Sequence, residues 1–228
     1  MSGVKRNYDG SARRARAERV RGVLVDAARE MLLSEGYAAT TIPRLADACG
    51  VSGESVYKRF AGKPALVRAV VAKALEGIGP VAAETRSDAL ATGDLATLLP
   101  GWATLAAEVT PRVAPILLLV HAAAAHDPEL AVLAGELDDD RRARMTDNAR
   151  RIAEAGHLPP DLTVERAADI LWTYSSPQMY DLLVLCSGWD IDQYADFIAT
   201  GMAAHLSPGA RPASVADQRG IHRVDGRC

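Results

Sequence analysis

From Glu18 onward, apolar and polar positions alternate with the period of a helix. Val20, Leu24, Ala27, Ala28, Met31 and Leu32 fall on one stripe, while Arg19, Arg21, Asp26 and Glu30 are read as lying off it. Gly36 supplies a stop, because glycine alone adopts the left-handed conformation that ends helices without strain. Tyr37 then reads as a core plug. Thr40-Thr41 offers an N-cap for a second helix, and Pro43 is tolerated because it sits in the first turn. That helix buries Ile42, Leu45, Ala46 and Cys49 and ends at Gly50. Ser52 caps a third helix of about two turns, in which Val56 and Phe60 face inward. Gly62-Lys63-Pro64 breaks the chain, and Pro64 suits the start of a fourth helix running through Leu66 and Val70 to about Ile78. Two short helices joined by a tight turn and braced by longer ones form a helix-turn-helix.

Gly79-Pro80 marks a boundary. Beyond it the pattern predicts helices near 80–91, 94–108, 111–126, 128–155, 163–175, 177–186 and 190–206, separated by breakers such as Thr110-Pro111, Asp127-Pro128 and Ser176-Pro177. The predicted organisation is therefore all-α. A basic arm at 1–17 precedes a three-helix reader at 18–78, a helical body at 79–206 and a disordered tail at 207–228. The arm, with Arg13, Arg14 and Arg16, has two readings: an unstructured leader, or a segment that touches phosphate or the minor groove.

Charge sharpens this picture. The net charge of -3 argues against a nucleic-acid partner, but its distribution does not. Residues 1–68 hold thirteen Lys and Arg against seven Asp and Glu, and the remainder holds thirteen against twenty-two. A basic head on an acidic body attracts phosphate whatever the whole-chain charge. Cys49, Cys186 and Cys228 are odd in number and show no CxxC spacing, so no disulfide framework or zinc site is expected. The run Ile116 to Val120 is too short to span a bilayer, and a soluble cytoplasmic protein is expected. No Ser–His–Asp or P-loop signature is present, so neither an enzyme nor a cofactor is expected.

The stretch from Thr40 to Lys63 closely resembles the DNA-binding motif of the tetracycline-repressor (TetR) family. Matches fall at Thr40, Thr41, Ile42, Leu45, Ala46, Gly50, Val51, Ser52, Val56, Tyr57, Phe60 and Lys63. With the preceding helix the resemblance covers residues 18–78. It implies that Thr41, Tyr57 and Lys63 contact phosphate, with Arg44 and Arg59 assisting, and Ser52 at the start of the reader helix belongs to the same DNA-binding set. Gly53, Glu54, Ser55 and Lys58 would face bases, Lys58 being suited to guanine O6 and N7. A second reading of Tyr57 is a half-buried core ring, and of Lys58 and Arg59 a solvated face. Glu54 and Ser55 depart from the residues usual in the family, and Pro43 removes a side chain that reads a base in some relatives. Base preference therefore does not carry over.

For the body, the resemblance implies a cavity for a small effector. Trp102, Leu117, His121, Met145, Trp172, Tyr174 and Gln178 are the candidate wall residues, against the plainer reading that each is core. His121 and His126 are five apart on a helix and point to different faces, so no metal site is expected. The segment from Ser176 to Leu206 resembles, more loosely, the closing helices of one subgroup. Leu182, Leu183, Leu185, Trp189, Tyr194, Phe197, Ile198 and Met202 would supply a face for a four-helix interface between two copies; the alternative is an intrachain core. The expected partners are an operator in duplex DNA, a small-molecule effector and a second copy. The expected function is a bacterial homodimeric repressor released from a near-palindromic operator. An enzyme or small-molecule carrier using the helical cavity, with a vestigial reader, and an effector-free architectural DNA binder are the competing classes.

Overall fold

Caps and breakers set most helix ends as the residue pattern expects. The structure, a computed structural model, describes residues 10–91 and 93–207. Among the described residues ten helices follow in chain order: α1 (Gly10–Ala39), α2 (Ile42–Ala48), α3 (Gly53–Tyr57), α4 (Lys63–Leu75), α5 (Ala83–Leu90), α6 (Leu95–Ala124), α7 (Pro128–Glu154), α8 (Val164–Tyr174), α9 (Pro177–Tyr180) and α10 (Ile191–Leu206). A π-helical turn, Asp181–Cys186, continues directly from α9. No strand occurs among the described residues.

Contacts divide the chain into two compact units. Of the described residues, the first takes those up to 75 and 115–137, and the second takes those from 76 to 114 and from 138 on. The segment 115–137 thus groups with the N-terminal residues, whereas the residue pattern predicts a single cut at residue 79. In the first unit the core is Leu24, Ala28 and Leu32 of α1, Leu45 of α2, Val56 of α3, and Leu66, Val67 and Val70 of α4. Ion pairs close its edges: Lys73 donates to Asp26 at 2.7 Å, and Arg68 pairs with Glu136. In the second unit Leu98, Leu99, Ile152, Leu171, Tyr194, Ile198 and Leu206 are almost completely buried together. Small residues permit close helix crossings there. A Cβ on Gly101 would lie 2.8 Å from Leu90 Cδ1, and one on Gly201 would lie 2.3 Å from the Tyr174 hydroxyl.

Four expectations are corrected. First, α1 begins at Gly10, eight residues before the apolar period does, so residues 10–17 are helical. Ala12, Ala15, Ala17 and the arginines are strong helix formers that need no apolar stripe. The rest of the expected arm, residues 1–9, lies outside the described residues, as does the tail from 208. Second, Gly36 kinks the helix (φ 81°, ψ 175°) and the chain resumes helical hydrogen bonding to Ala39. Third, Pro111 does not break α6. The proline removes one backbone donor, but apolar residues are buried on both sides of it, from Leu98 and Trp102 to Ile116 and Val120. By length and composition α6 could cross a membrane, and 33% of its most apolar stretch is buried within the protein. Fourth, the last six residues of the expected 177–186 helix are π-helical.

A carboxylate clamp fixes the start of the second unit. Arg86 forks onto Glu108, with Nη1 to Oε2 at 2.8 Å and Nη2 to Oε1 at 2.5 Å, and its Nε donates to the Val81 carbonyl at 3.0 Å. The Ile78 backbone N–H donates to Glu108 Oε1 at 2.7 Å. Gly77 has φ 78°, and a Cβ there would strike the same carboxylate. The Arg86 hydrogen bonds pull the Glu108 carboxyl down to about 2. A carboxyl depressed by folding stabilises the fold above its unfolded value and loses that contribution as pH falls to the folded one. Acid titration of unfolding should therefore show a loss of stability between about pH 4.5 and about pH 2. Glu108→Gln should remove that component, and an unchanged acid limb in the variant would contradict the assignment.

Candidate nucleic-acid interface

Two capped helices in the first unit present the basic surface. Thr41 is extended (φ -119°, ψ 153°) and its Oγ1 accepts from the Arg44 N–H at 3.4 Å. Thr40 is buried, and its hydroxyl donates to the Gly36 carbonyl at 2.9 Å, which joins the kink in α1 to the start of α2. Pro43, in the first turn, costs α2 no hydrogen bond. Gly50 turns the chain at φ 64°. Ser52 then caps α3, accepting from the Ser55 N–H at 3.2 Å and donating to Ser55 Oγ at 2.9 Å.

Within α3 only Val56 is buried, and Phe60, just beyond it, is 3% exposed. Glu54, Tyr57 and Lys58 are exposed; Gly53, Ser55 and Arg59 are half-buried. Tyr57, at 59% exposure, projects from the surface, so the core-ring reading fails for it. No atom lies within 4 Å of where a Cβ on Gly53 would stand, leaving the first turn of α3 open to close approach.

Three expected phosphate ligands are already held by the chain. Arg44 pairs with Glu35 and donates to the Ala39 carbonyl at 2.8 Å. Arg59 donates to the Ser55 carbonyl at 2.7 Å. Lys63 donates to the Tyr37 carbonyl, and its ammonium lies 3.5 Å from the centroid of the Tyr37 ring. Burial against that ring pulls the Lys63 ammonium down, with Asp127 opposing. Burial first, then Asp127 and Glu129, push the Tyr37 phenol up to about 12. Tyr37 is thus a platform for Lys63 as well as a plug. An exposed pair such as Arg44–Glu35 contributes only about 0–1 kcal/mol, so a phosphate can displace it.

The residue pattern puts Arg21 off the apolar stripe of α1, and the structure corrects this. Its guanidinium sits 5.0 Å from the Phe60 ring centroid, which places it on that stripe, one turn before Leu24. The i to i+3 spacing was the available signal.

The candidate effector residues divide between the units. Leu117 (buried) and His121 (half-buried) belong to the first, and the other five belong to the second. Trp102 is core, its indole donating to the Ser87 carbonyl at 3.3 Å. Met145 and Tyr174 pack against the same core, and Gln178 is exposed. The Trp172 ring is flanked by Arg141 at 4.6 Å and Arg142 at 5.1 Å. Trp172 Nε1 and Asn148 Oδ1 are buried without a hydrogen-bond partner. Asn148, three residues beyond Met145 on α7, carries no signal in the residue pattern. An open cleft of about 450 Å³ lies between α5 and α6, lined by Arg86, Ala89, Leu90, Gly101, Thr104 and Leu105, and none of the seven candidates lines it.

The candidate dimer face also divides. Tyr194, Ile198 and Met202, at 0%, 1% and 4% exposure, are spent on the chain's own core, which leaves no side-chain surface for a partner. Leu183 and Trp189 are half-buried. Leu182, Leu185 and Phe197 are exposed, at 63%, 53% and 38%.

Residues 24–70 match the family model for bacterial regulatory proteins of the tetR family, and residues 88–200 match the tetracyclin repressor-like C-terminal domain. A curated relative, the uncharacterized HTH-type transcriptional regulator YvkB of Bacillus subtilis (strain 168), is 31% identical over 65 residues. That match covers 28% of this chain and 34% of the relative, so the chain spans about a third of the relative's length. Among solved structures, a protein from Syntrophomonas wolfei assigned to the TetR-family regulators superposes with a TM-score of 0.66 at 13% identity, over 87% of this chain and 98% of that one. NalD of Pseudomonas aeruginosa, described as the secondary repressor of the MexAB-OprM multidrug efflux pump, gives 0.62 at 20% identity over 84% and 97%. A transcriptional regulator-type protein from Saccharomonospora viridis, solved in complex with choline, gives 0.61 at 15% identity over 83% and 98%. At these identities the likeness is one of fold.

Proposed function

The chain belongs to the tetR family of bacterial regulatory proteins, and from that premise we propose that it is a homodimeric repressor released from a near-palindromic operator by a small effector. The observation that carries the reading is the exposed face of α3, where Glu54, Tyr57 and Lys58 stand out from a helix pinned by Val56 and Phe60. A helix so held can enter the major groove with its own geometry fixed. Tyr57 and Thr41 bind phosphate; Lys63 and Arg44 join them by leaving their intrachain partners. Lys58 reads guanine, and Glu54 accepts from a cytosine amino group while repelling misplaced phosphate. Two copies meet through Leu182, Leu185 and Phe197 and present two such helices one helical turn apart.

For effector release, the buried Trp172 Nε1 and Asn148 Oδ1 support a polar ligand in the second unit, since buried polar groups ordinarily have partners. A ligand that binds better in the spacing unfit for DNA lowers operator affinity by its differential affinity for the two states. The family setting implies action in the bacterial cytoplasm, at the nucleoid when bound to DNA.

Lys58→Ala tests the reader. The side chain is exposed, so stability should change by no more than about 0.5 kcal/mol. Discrimination at one base pair of the operator should fall by about 1–3 kcal/mol. A variant with an unchanged base preference would remove Lys58 from the reading set.

A further inference from the structure

The helical extension of α1 ahead of the matched family segment takes no part in the proposed reader. It runs from Gly10, fourteen residues before the match begins at residue 24. Ser11 to Arg19 are all exposed, over a length of about 13.5 Å at the rise of an α-helix. Arg13, Arg14, Arg16 and Arg19 stand there against the single acidic residue Glu18. Burial cannot be what selects this segment, because its side chains meet solvent on every side.

Its position relative to the reader follows from helix phase. The stripe of α1 that packs on the reader unit is Leu32, Ala28 and Leu24, and steps of three and four carry it on to Arg21, Ala17 and Arg14. Arg21 marks where the stripe leaves the core, over the ring of Phe60, the residue that closes the reader segment after Lys58 and Arg59. The extension therefore departs beside the C-terminal end of α3, at the opposite end of α1 from Tyr37 and Lys63. Lys73 on Asp26, near one end, and Lys63 on Tyr37, at the other, show α1 and α4 running antiparallel between those points.

We infer that Gly10–Arg19 is a second DNA-binding element, a basic helix that grips backbone phosphates flanking the groove read by α3. The inference rests on the DNA-binding reading proposed above. A duplex is the occupant its charge fits: four guanidinium groups spread around a helix neutralise phosphates without demanding a base sequence. Arg14 and Arg13 point to the reader side, and Arg16 and Arg19 to the far side, so the element extends the length of DNA that is gripped and adds no base readout.

The test compares the full chain with the Arg13→Ala, Arg14→Ala, Arg16→Ala, Arg19→Ala variant on two duplexes, one recovered by selection with the wild-type chain and one of random sequence. Alanine keeps the helix, and a fourfold Arg→Lys variant keeps the charge. Binding is measured from 50 to 200 mM salt. For the alanine variant, the plot of log K against log salt should be shallower by about 3.6, at roughly 0.9 for each of the four phosphates left without its arginine, on both duplexes. Base preference should stay unchanged and the protected footprint should shorten at its outer edges. The lysine variant should keep the wild-type slope. An alanine variant with wild-type slope and footprint overturns the inference and leaves the extension to an acidic partner. If the wild-type chain binds neither duplex, the DNA-binding reading itself falls.

Discussion

A chain carrying Leu182→Glu and Leu185→Glu is expected to be monomeric and to bind its operator at least about a hundredfold more weakly than wild type, since joining two half-site readers raises affinity by about 10² to 10⁴. Both leucines are more than half exposed in the single chain, so folding does not depend on burying them. In the proposed interface each is covered twice, once per copy, at about 1.5–3 kcal/mol for each fully buried side chain. Glutamate removes that gain and, across a twofold axis, sets like charges against each other. Sedimentation gives the mass and titration of operator DNA the affinity. A double variant that remains dimeric would move the interface away from the Asp181–Cys186 turn. Tyr194, Ile198 and Met202 cannot serve as the test, because changing them would damage the chain's own core.

Phe60→Ala is expected to destabilise the reader unit by about 3–5 kcal/mol, the usual cost of emptying a buried aromatic site. Phe60 is almost fully buried, closes the segment that follows α3 and carries Arg21 on its ring. Loss of the ring frees α3, whose own buried residue is Val56 alone. Phe60→Leu refills most of the volume and should cost under about 1.5 kcal/mol. Thermal unfolding measures both. If alanine costs no more than leucine, Phe60 is not the pin that holds the reader in place.

The reader was legible because local chemistry fixes it. Thr41 and Ser52 cap α2 and α3 at the positions their side chains dictate, Pro43 sits in a first turn, and Gly50 takes the left-handed conformation that a tight turn needs. The body was legible in composition and less so in detail. Apolar periodicity reports that a face is buried without saying against what. Tyr194, Ile198 and Met202 fall at steps of four and turn into the core, while Phe197, beside Ile198 in sequence, turns out. The same ambiguity hid the continuity of α6, since a proline signals a lost donor but not the burial that outweighs it. The start of α1 was hidden for the opposite reason. Its first turns bury nothing, so no period announced them, and only the propensity of Ala and Arg pointed to helix. The candidate effector residues are large side chains at core spacing, and such residues mostly proved to be core. The orphaned groups of Asn148 and Trp172 emerge only from the hydrogen bonding of the folded chain.

Whether α3 of a paired chain reads DNA sequence is decided by selecting genomic fragments with the purified chain and sequencing what is retained. One enriched, near-palindromic motif is expected, with half-site centres about one helical turn apart. Retained DNA with no enriched motif, or a motif without twofold symmetry, would contradict that expectation.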